Sequence, residues 1–316
     1  MELDIEDKKS STQSGEHVVD CEKLGVRMKK YENEFDLRIA PYESFVIRLD
    51  GRSFSKFTKG FAKPFDINFV KAMGKTMVDL VKKFEAQTGY THSDEITLVF
   101  GPKCSFQEYN DSMVSENKSR EISIHMFDGR IQKILSVTSS YCSVKFNYHL
   151  EKIINKNQEK YSSNFIDLIG QHEQMFDSRI LKFPYDKTYE LVNHQIWRSI
   201  HDCSRNAIQT YAHTYFGPKK ILNKNTTEMI AMLKENKQID WNQDIPLFIK
   251  HGIYCKKKLV EKEINGCEVL RSEYVCKQFK INFSDDNLNM LISKYWTDNL
   301  TQNNNIQTII LDELVL

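Results

Sequence analysis

Two short apolar segments, each bordered by acidic residues, constrain the fold of this chain most. The first, Phe45–Leu49, is rich in aromatic and β-branched residues, which favours a buried strand, and it ends at the turn signal Asp50-Gly51-Arg52. The second, Ile96–Phe100, has the same character and follows Ser93-Asp94-Glu95. Because strand ends of one sheet can lie within a few ångströms of each other, we expect Asp50 and Asp94 to meet at one edge of a sheet.

Amphipathic helices separate and follow these strands. After Pro64, apolar residues recur at spacings of three and four up to Phe84, and Gly89 is predicted to stop this helix. The lysines on its other side are interpreted as a solvated face. Residues 101–125 are predicted as a polar loop or insertion, and further helices are predicted over 130–146 and 188–216. Short strand-like pieces after residue 252, at 268–270, 274–276 and 279–283, predict a hairpin or meander. Strands and helices follow no repeating βαβ rhythm, so the fold class is α+β.

Composition excludes several classes of protein. Lys and Arg number 44 and Asp and Glu 43, so the net charge is +1 and only a local patch could hold a nucleic acid. No apolar run approaches the roughly 20 residues that cross a bilayer, and residues 1–20 carry no secretory or mitochondrial signal. We therefore expect a cytoplasmic or nuclear protein without membrane partners. The seven cysteines are scattered and form no CxxC pair, which argues against a zinc ribbon.

The residue pattern alone leaves Asp50 and Asp94 with two interpretations. Paired carboxylates suit a site for two Mg²⁺ ions, since hard cations prefer oxygen ligands, but acidic residues at strand ends are most often turn formers. An aromatic and basic stretch, residues 211–224, could contact RNA or could be core aromatics followed by a solvated loop. Four cations could neutralise a triphosphate or could be ordinary surface residues: Lys63, Arg130, Lys133 and Arg205.

Five short motifs occur in a fixed order between about Leu24 and about Phe283. They are Leu49-Asp50-Gly51-Arg52-x-Phe54, Phe61-Ala62-Lys63-Pro64-Phe65-Asp66, His92-Ser93-Asp94-Glu95, Gly129-Arg130-Ile131-Gln132-Lys133 and Trp197-Arg198. In this combination the chain resembles the tRNA-His guanylyltransferase superfamily. The resemblance is specific because the motifs occur together in this order; no single motif would be specific by itself.

The segment after Trp197-Arg198 distinguishes two branches of that superfamily. The guanylyltransferases proper carry His-Ile-Asn-Asn-Leu-Tyr-Asn-Thr there, whereas residues 203–210 read Cys-Ser-Arg-Asn-Ala-Ile-Gln-Thr, and only Asn206 and Thr210 clearly survive. The Arg-Asn-x-Ile-Gln pattern, together with residues 24–32 and 60–66, resembles the tRNA-His guanylyltransferase-like proteins. Compared with the family pattern, one additional residue separates Trp197-Arg198 from Asp202.

The resemblance implies a fold and an activity. The fold would be an α+β, polymerase-palm-like antiparallel sheet packed with helices, followed by a helical and β C-terminal region. The like-protein branch extends RNA in the 3′–5′ direction, adding templated nucleotides to truncated 5′ ends of tRNA or tRNA-like RNA after ATP activates a 5′-monophosphate. The resemblance further implies two Mg²⁺ ions as cofactors and ATP, GTP and other nucleoside triphosphates as substrates. Its partners would be tRNA or another structured RNA, in a homotetramer.

The resemblance also assigns roles to individual residues. Asp50 and Asp94, with the carbonyl of Gly51, would hold the metal ions, and Glu95 would complete the catalytic set. The nucleotide-binding set would be Arg52, Ser53, Phe54, Lys63, Ser93, Arg130, Lys133 and Asn206. The RNA-binding set would be Arg198, Arg205, Lys219, Lys220 and Lys224.

Four regions are expected along the chain: a disordered tail at 1–22, a palm-like catalytic domain at 23–185, a helical and β region of the same catalytic unit at 186–300, and a C-terminal tail at 301–316. Three alternatives to a templated polymerase remain. One is a tRNA-His guanylyltransferase that adds a single non-templated G, another is a non-catalytic RNA-binding protein, and the third is a cyclase-like palm that acts on free nucleotides.

Overall fold

A computed structural model of the chain describes residues 23–114, 122–264, 267–296 and 306–314. The expected tail at 1–22 lies outside the described residues. Helix α1, Leu24–Asn33, forms over a segment of mixed charge, and it belongs to a unit of its own, residues 1–36. The second unit comprises residues 37–316 and carries all the other elements described below.

Seven strands form the second unit's sheet: β1 Ser44–Gly51, β2 Thr88–His92, β3 Glu95–Phe100, β4 Phe176–Phe183, β5 Ile253–Ile264, β6 Cys267–Gln278 and β7 Gln307–Ile309. Their order across the sheet is β4-β1-β3-β2-β5-β6-β7, and each neighbouring pair is antiparallel. The α+β class is therefore confirmed. The sheet runs from residue 44 to residue 309, so strands of both expected regions, 23–185 and 186–300, belong to it.

Eleven α-helices follow α1 in the described residues: α2 Phe54–Phe57, α3 Ile67–Phe84, α4 Phe106–Val114, α5 Ile131–Ile154, α6 Ser163–Gly170, α7 Tyr189–Ile196, α8 Cys203–Phe216, α9 Pro218–Ile221, α10 Thr226–Lys237, α11 Leu247–His251 and α12 Asp285–Ile292. Side chains alternate along β1, so that Phe45, Ile47 and Leu49 enter the core formed with α3 and α5. Val46 enters a second core on the other face, formed with α7 and α12.

Strand β2 was not predicted, and its presence corrects the role of Gly89. Helix α3 ends at Phe84, where Glu85 adopts a left-handed conformation with φ of 53°, and Gly89 lies inside β2. A Cβ at Gly89 would collide with the side chains of Val81 and Met77. Glycine is therefore required because β2 passes close to α3, and the backbone conformation of Glu85 ends the helix.

Other elements differ in extent from the sequence prediction. Helix α5 continues eight residues beyond Phe146, and α4 lies inside the predicted loop 101–125. The predicted hairpin after residue 252 is β5 and β6, whereas residues 279–283, predicted as strand-like, form no strand. Within the expected C-terminal tail, residues 307–309 are β7, paired with β6 through Cys276↔Ile309. A three-residue strand is too short to give a sequence signal by itself.

The long helix predicted over 188–216 is α7 and α8 joined by a π-helical segment, Trp197–Asp202. A π turn closes each hydrogen bond one residue later than an α turn, so it accommodates one additional residue without ending the helix. The segment coincides with the additional residue that the sequence shows between Trp197-Arg198 and Asp202.

Among the described residues, none of the helices is both long enough and apolar enough to span a bilayer.

Candidate active site

Asp50 and Gly51 end strand β1 beside the turn that joins β2 to β3. The backbone N–H of Gly51 donates to the carbonyl of Asp94 at 3.0 Å, which holds the two acidic segments together. A Cβ on Gly51 would lie 2.5 Å from the ring of Phe54, so this position has no room for a side chain. The expected meeting of Asp50 and Asp94 at one edge of the sheet is what the structure shows.

Asp94 occupies a two-residue turn that the pair His92↔Glu95 closes. Ser93 takes a left-handed conformation, with φ of 52°, and its hydroxyl donates to Asp94 Oδ1 at 3.0 Å. Burial raises the pKa of the Asp94 carboxyl, and the negative charge of Asp50 raises it further, while the Ser93 hydrogen bond opposes the shift. The two carboxylates therefore repel each other and favour a cation between them.

The donor set of this edge fits Mg²⁺. Asp50 and Asp94 supply carboxylate oxygens and Gly51 a carbonyl oxygen, and Mg²⁺ typically takes one or two carboxylates and completes its shell with water and substrate phosphates. No group of three or more His, Cys, Asp or Glu side chains arranged for a metal occurs within the described part of the chain. A site here would therefore rely on oxygens from water and substrate, as Mg²⁺ sites on phosphate substrates do.

Glu95, the third residue of the expected catalytic set, is engaged by arginines. Arg48 Nη2 donates to Glu95 Oε1 at 2.9 Å, and Arg198 forms an ion pair with the other carboxylate oxygen. Two guanidinium groups thus neutralise Glu95. Its position suits the support of the two strand ends better than direct metal coordination.

Arg198 is not available to RNA, which corrects its place in the expected RNA-binding set. Its side chain is 3% exposed, and besides Glu95 it contacts Asp202, with Nη1 2.7 Å from Oδ2. The guanidinium joins the π segment to the start of β3, so Arg198 holds the helical layer on the edge of the sheet. Arg205 Nη2 pairs with the second oxygen of Asp202 at 3.0 Å and remains more than half exposed.

Phe54 is also a core residue, which corrects its expected contact with nucleotide. Its ring is 2% exposed and packs against Phe146 and Phe176, with ring centroids 5.4 and 5.0 Å away. Arg52 and Ser53, by contrast, are exposed in the turn after β1. The backbone N–H of Arg52 donates to the carbonyl of Met175 at 2.9 Å, and Ser53 has a φ of 61°.

The Lys63 segment is anchored near the Asp94 turn. Phe65 lies against His92, with ring centroids 6.3 Å apart, and both line a small apolar pocket together with Ser93. Asp66 caps helix α3 by accepting from the backbone N–H of Asn68 at 2.8 Å. Burial lowers the pKa of Lys63, and the charge of Asp66 partly opposes this shift. The backbone that carries Lys63 is therefore anchored by elements that also position Asp94.

The remaining predicted residues lie on other elements. Arg130 and Lys133 are exposed at the start of α5, where Lys133 Nζ lies 5.3 Å from the ring centroid of Phe127. Asn206 is exposed on α8. Lys219 and Lys220 are exposed on α9, and Lys224 Nζ lies 3.5 Å from Glu228. Within the described part of the chain, no hydrogen bond or ion pair joins these residues to Asp50 or Asp94.

Sequence reasoning missed three charged residues beside Asp50. Arg48 lies two residues earlier on the same face of β1, and Asp177 and Arg179 face that strand from β4. Asp177 is the direct cross-strand partner of Asp50, and Arg179 Nη2 lies 3.9 Å from Asp50 Oδ2. Arg48 interrupts an otherwise apolar run, which was a usable signal, whereas the pairing of β4 with β1 could not be read from local patterns.

Comparison with known proteins identifies the family. The family model described as tRNAHis guanylyltransferase matches residues 25–184. An uncharacterized protein of Acanthamoeba polyphaga mimivirus is 41% identical over 276 residues, which cover 87% of this chain and 91% of that protein.

Two solved structures are also similar. A bacterial tRNA(His) guanylyltransferase-like protein in complex with ATP is 28% identical, with a TM-score of 0.60, over 81% of this chain and 91% of that chain. A second such structure, in complex with GTP, is 27% identical, with a TM-score of 0.56, over 80% of this chain and 90% of that chain. This chain belongs to the tRNAHis guanylyltransferase family of nucleotidyltransferases.

Proposed function

We propose that the chain adds templated nucleotides to truncated 5′ ends of tRNA or tRNA-like RNA, growing the strand in the 3′–5′ direction. The observation that carries the proposal is the pair Asp50 and Asp94, held together at one edge of the sheet by the Gly51 backbone. The ATP and GTP complexes of the similar bacterial proteins support nucleoside triphosphates as the second class of substrate.

Each residue of the site has a proposed task. Asp50, Asp94 and the Gly51 carbonyl would hold two Mg²⁺ ions, which when bound would stabilise the charge that develops on the attacking and leaving oxygens. Ser93 fixes the orientation of the Asp94 carboxylate through its hydrogen bond. Arg48 and Arg198 hold Glu95 and so keep β1 and β3 in position. Lys63 would bind the phosphates of the ATP that activates a 5′-monophosphate end.

The more distant residues would complete the substrate sites. Arg52 and Ser53, through the exposed turn after β1, and Arg130, Lys133 and Asn206 would contact the triphosphates of ATP, GTP and other nucleotides. Arg205, Lys219, Lys220 and Lys224 would contact RNA. The proposal includes a homotetramer, in which patches on several copies would together hold RNA despite a net charge of only +1.

Two alternatives make different predictions. A tRNA-His guanylyltransferase would add a single G, and the match to the family model favours it, whereas the changed segment 203–210 argues against it. A non-catalytic RNA-binding protein is disfavoured because Asp50, Gly51 and Asp94 are all present and held together.

A 5′-extension assay separates these functions. The purified chain would receive ATP, Mg²⁺ and each nucleotide in turn, with a tRNA that lacks its first nucleotide and, in parallel, an intact 5′-monophosphorylated tRNA-His. Addition of only the nucleotide complementary to the 3′ strand is the expected result. Addition of G alone to intact tRNA-His would establish the guanylyltransferase, and no addition to either RNA would contradict the proposal.

A further inference from the structure

Helices α3 and α5 form a groove that carries five lysines, here called the lysine groove. Its lysines are Lys71 and Lys75 on α3, Lys152 on α5, and Lys156 and Lys160 after the end of α5. Asp312 is the one carboxylate among the described residues that line the groove. The net charge of the whole chain is only +1, so the positive charge is concentrated in this groove rather than spread over the protein.

The spacing of the lysines places like charges next to each other. Lys71 and Lys75 are four positions apart on α3, and Lys152 and Lys156 are four positions apart across the end of α5. Residues four positions apart on a helix are neighbours, about 6 Å apart along the axis, so the like charges of Lys71 and Lys75 destabilise α3. Pairs of cations therefore lie on both sides of the groove, and a linear polyanion would relieve their repulsion better than a single phosphate.

The chain itself shows that the groove accepts an anion. Asp312 lies on the α3 side, where Lys75 Nζ is 2.8 Å from its carboxylate and Lys71 Nζ donates to its backbone carbonyl at 2.9 Å. The hydrogen bond from Lys75, together with the charges of Lys75, Lys71 and Lys156, holds the pKa of the Asp312 carboxyl below its usual value. Leu311 anchors this segment against Gly74, where a Cβ would lie 2.7 Å from Leu311 Cδ2.

The opposite side of the groove has no such partner. Lys152, Lys156 and Lys160 are exposed, and none of them forms an ion pair with a carboxylate in the described ranges. Lys160 Nζ lies 3.3 Å from the amide oxygen of Asn157, and Lys152 Nζ lies 5.7 Å from the ring centroid of Tyr148. The charges of Lys152 and Lys160 are thus available to an incoming ligand, while those of Lys71, Lys75 and, without an ion pair, Lys156 act on Asp312.

We propose that the lysine groove binds the phosphate backbone of the RNA substrate and that Asp312 competes with RNA phosphates for Lys71 and Lys75. This inference rests on the proposed function for the identity of the polyanion. Phosphate contacts of this kind position an RNA without reading its sequence. The groove would therefore increase affinity for any RNA that reaches it, and Asp312 would reduce that affinity.

A charge-matched pair of variants tests the groove. Lys152→Glu/Lys156→Glu changes two groove lysines, and Lys82→Glu/Lys83→Glu makes the same change in net charge at exposed lysines near the end of α3 that do not line the groove. Binding of a tRNA transcript that lacks its first nucleotide would be measured by fluorescence anisotropy at several salt concentrations. We expect the groove variant to bind at least tenfold more weakly and to lose about two from the slope of log affinity against log salt, since each lost phosphate contact removes about one. The matched control should stay within about twofold of the parent protein.

Asp312→Asn provides a change of opposite sign. It removes the internal competitor, so RNA should bind about two- to fivefold more tightly, with a steeper salt dependence. Lys152→Arg/Lys156→Arg keeps the charges and should retain binding. Equal losses in the groove variant and its matched control, or unchanged affinity in Asp312→Asn, would overturn the proposal. Melting temperatures of all variants would show whether each one folds.

The outcome is separable from that of the proposed function. Affinity that depends on the groove, in a protein that adds no nucleotide, would uphold the lysine groove and contradict the polymerase. Nucleotide addition with the same affinity in every variant would uphold the polymerase and contradict the groove. If both hold, the groove variant should raise KM for RNA while leaving kcat at saturating RNA near that of the parent.

Discussion

Asp50 on β1 and Glu95 on β3 are direct cross-strand partners, and the guanidinium of Arg48 lies against both carboxylates. Arg48 Nη2 is 2.9 Å from Glu95 Oε1 but 3.4 Å from Asp50 Oδ2. Like charges directly opposite each other destabilise a sheet, so this cation makes the pairing tolerable. The unequal distances mean that Glu95 is held firmly, whereas Asp50 keeps oxygen atoms for a metal ion.

Neutralising either metal-site carboxylate should abolish activity while the protein stays folded. Asp50→Asn or Asp94→Asn should abolish nucleotide addition. Without metal, Asp94→Asn should melt about 1–3 °C above the parent protein, because roughly 0.5–1 kcal/mol of charge repulsion is removed. Mg²⁺ should raise the melting temperature of the parent and have little effect on either variant. Near-normal addition by either variant in Mg²⁺ would contradict the metal assignment.

The Asp94 carboxyl should make stability depend on pH in a defined direction. Its pKa is raised in the folded protein by burial, so the folded state favours the protonated form. The associated stability is present below the unfolded-state pKa and is lost as pH rises through the folded-state pKa. In EDTA, the melting temperature of Asp94→Asn minus that of the parent should therefore increase as pH rises through the mildly acidic range. A difference that stays constant with pH would mean that Asp94 titrates normally.

Lys63 should matter most for activating a 5′-monophosphate end. Lys63→Ala should lower the rate of addition to a 5′-monophosphate RNA by at least tenfold more than addition to the same RNA with a 5′-triphosphate, which needs no activation. The measurement is single-turnover addition on the two RNAs. Equal losses on both would remove Lys63 from the activation step.

Arg198 should be a structural residue. Arg198→Met leaves Glu95 and Asp202 without their shared cation in a buried setting, so the free energy of unfolding should fall by about 3–5 kcal/mol in urea titrations. Arg205→Met removes the exposed partner of the same Asp202 and should cost less than about 1 kcal/mol. Similar losses in the two variants would contradict the buried role.

Gly89 should tolerate no side chain. Gly89→Ala places a methyl group against Val81 and Met77, and overpacking of this kind costs about 1–3 kcal/mol of unfolding free energy. Gly170→Ala is the control, since a Cβ there meets nothing within 4 Å. If β2 did not pass this close to α3, the two substitutions would have comparable effects in the same unfolding experiment.

Local patterns predicted the strands and helices whose signal lies in a single run of residues. The aromatic and β-branched run Phe45–Leu49 and the apolar stripe of α3 are of this kind, and both elements form where expected. Strand β2 was missed because its sequence, Thr88–His92, is short and contains a glycine whose purpose is visible only once α3 packs against it. Helix α5 was predicted too short, although Leu150 and Ile154 continue its buried face to the observed end.

The residues of the candidate site also fall into those that local sequence predicts and those that depend on how elements pack. Asp50 and Asp94 could be paired from sequence because each borders a strand of recognisable character. The burial of Arg198 and Phe54 could not be predicted from sequence, since it depends on how separate elements pack. Asp177 and Arg179 were missed for a related reason, because only the register of β4 against β1 brings them to Asp50.

The π segment, Trp197–Asp202, has a consequence for changes in chain length. An insertion in an α-helix rotates everything beyond it by about 100°, since each residue turns the helix by that angle. Here the widened turn takes up the additional residue, so that the exposed side chains Arg205 and Asn206 of α8 keep their direction relative to α7. Removing one residue from 199–201 should let the turn close as an ordinary α turn. This site is thus a point at which the helix can gain or lose one residue while Asn206 continues to face the same side.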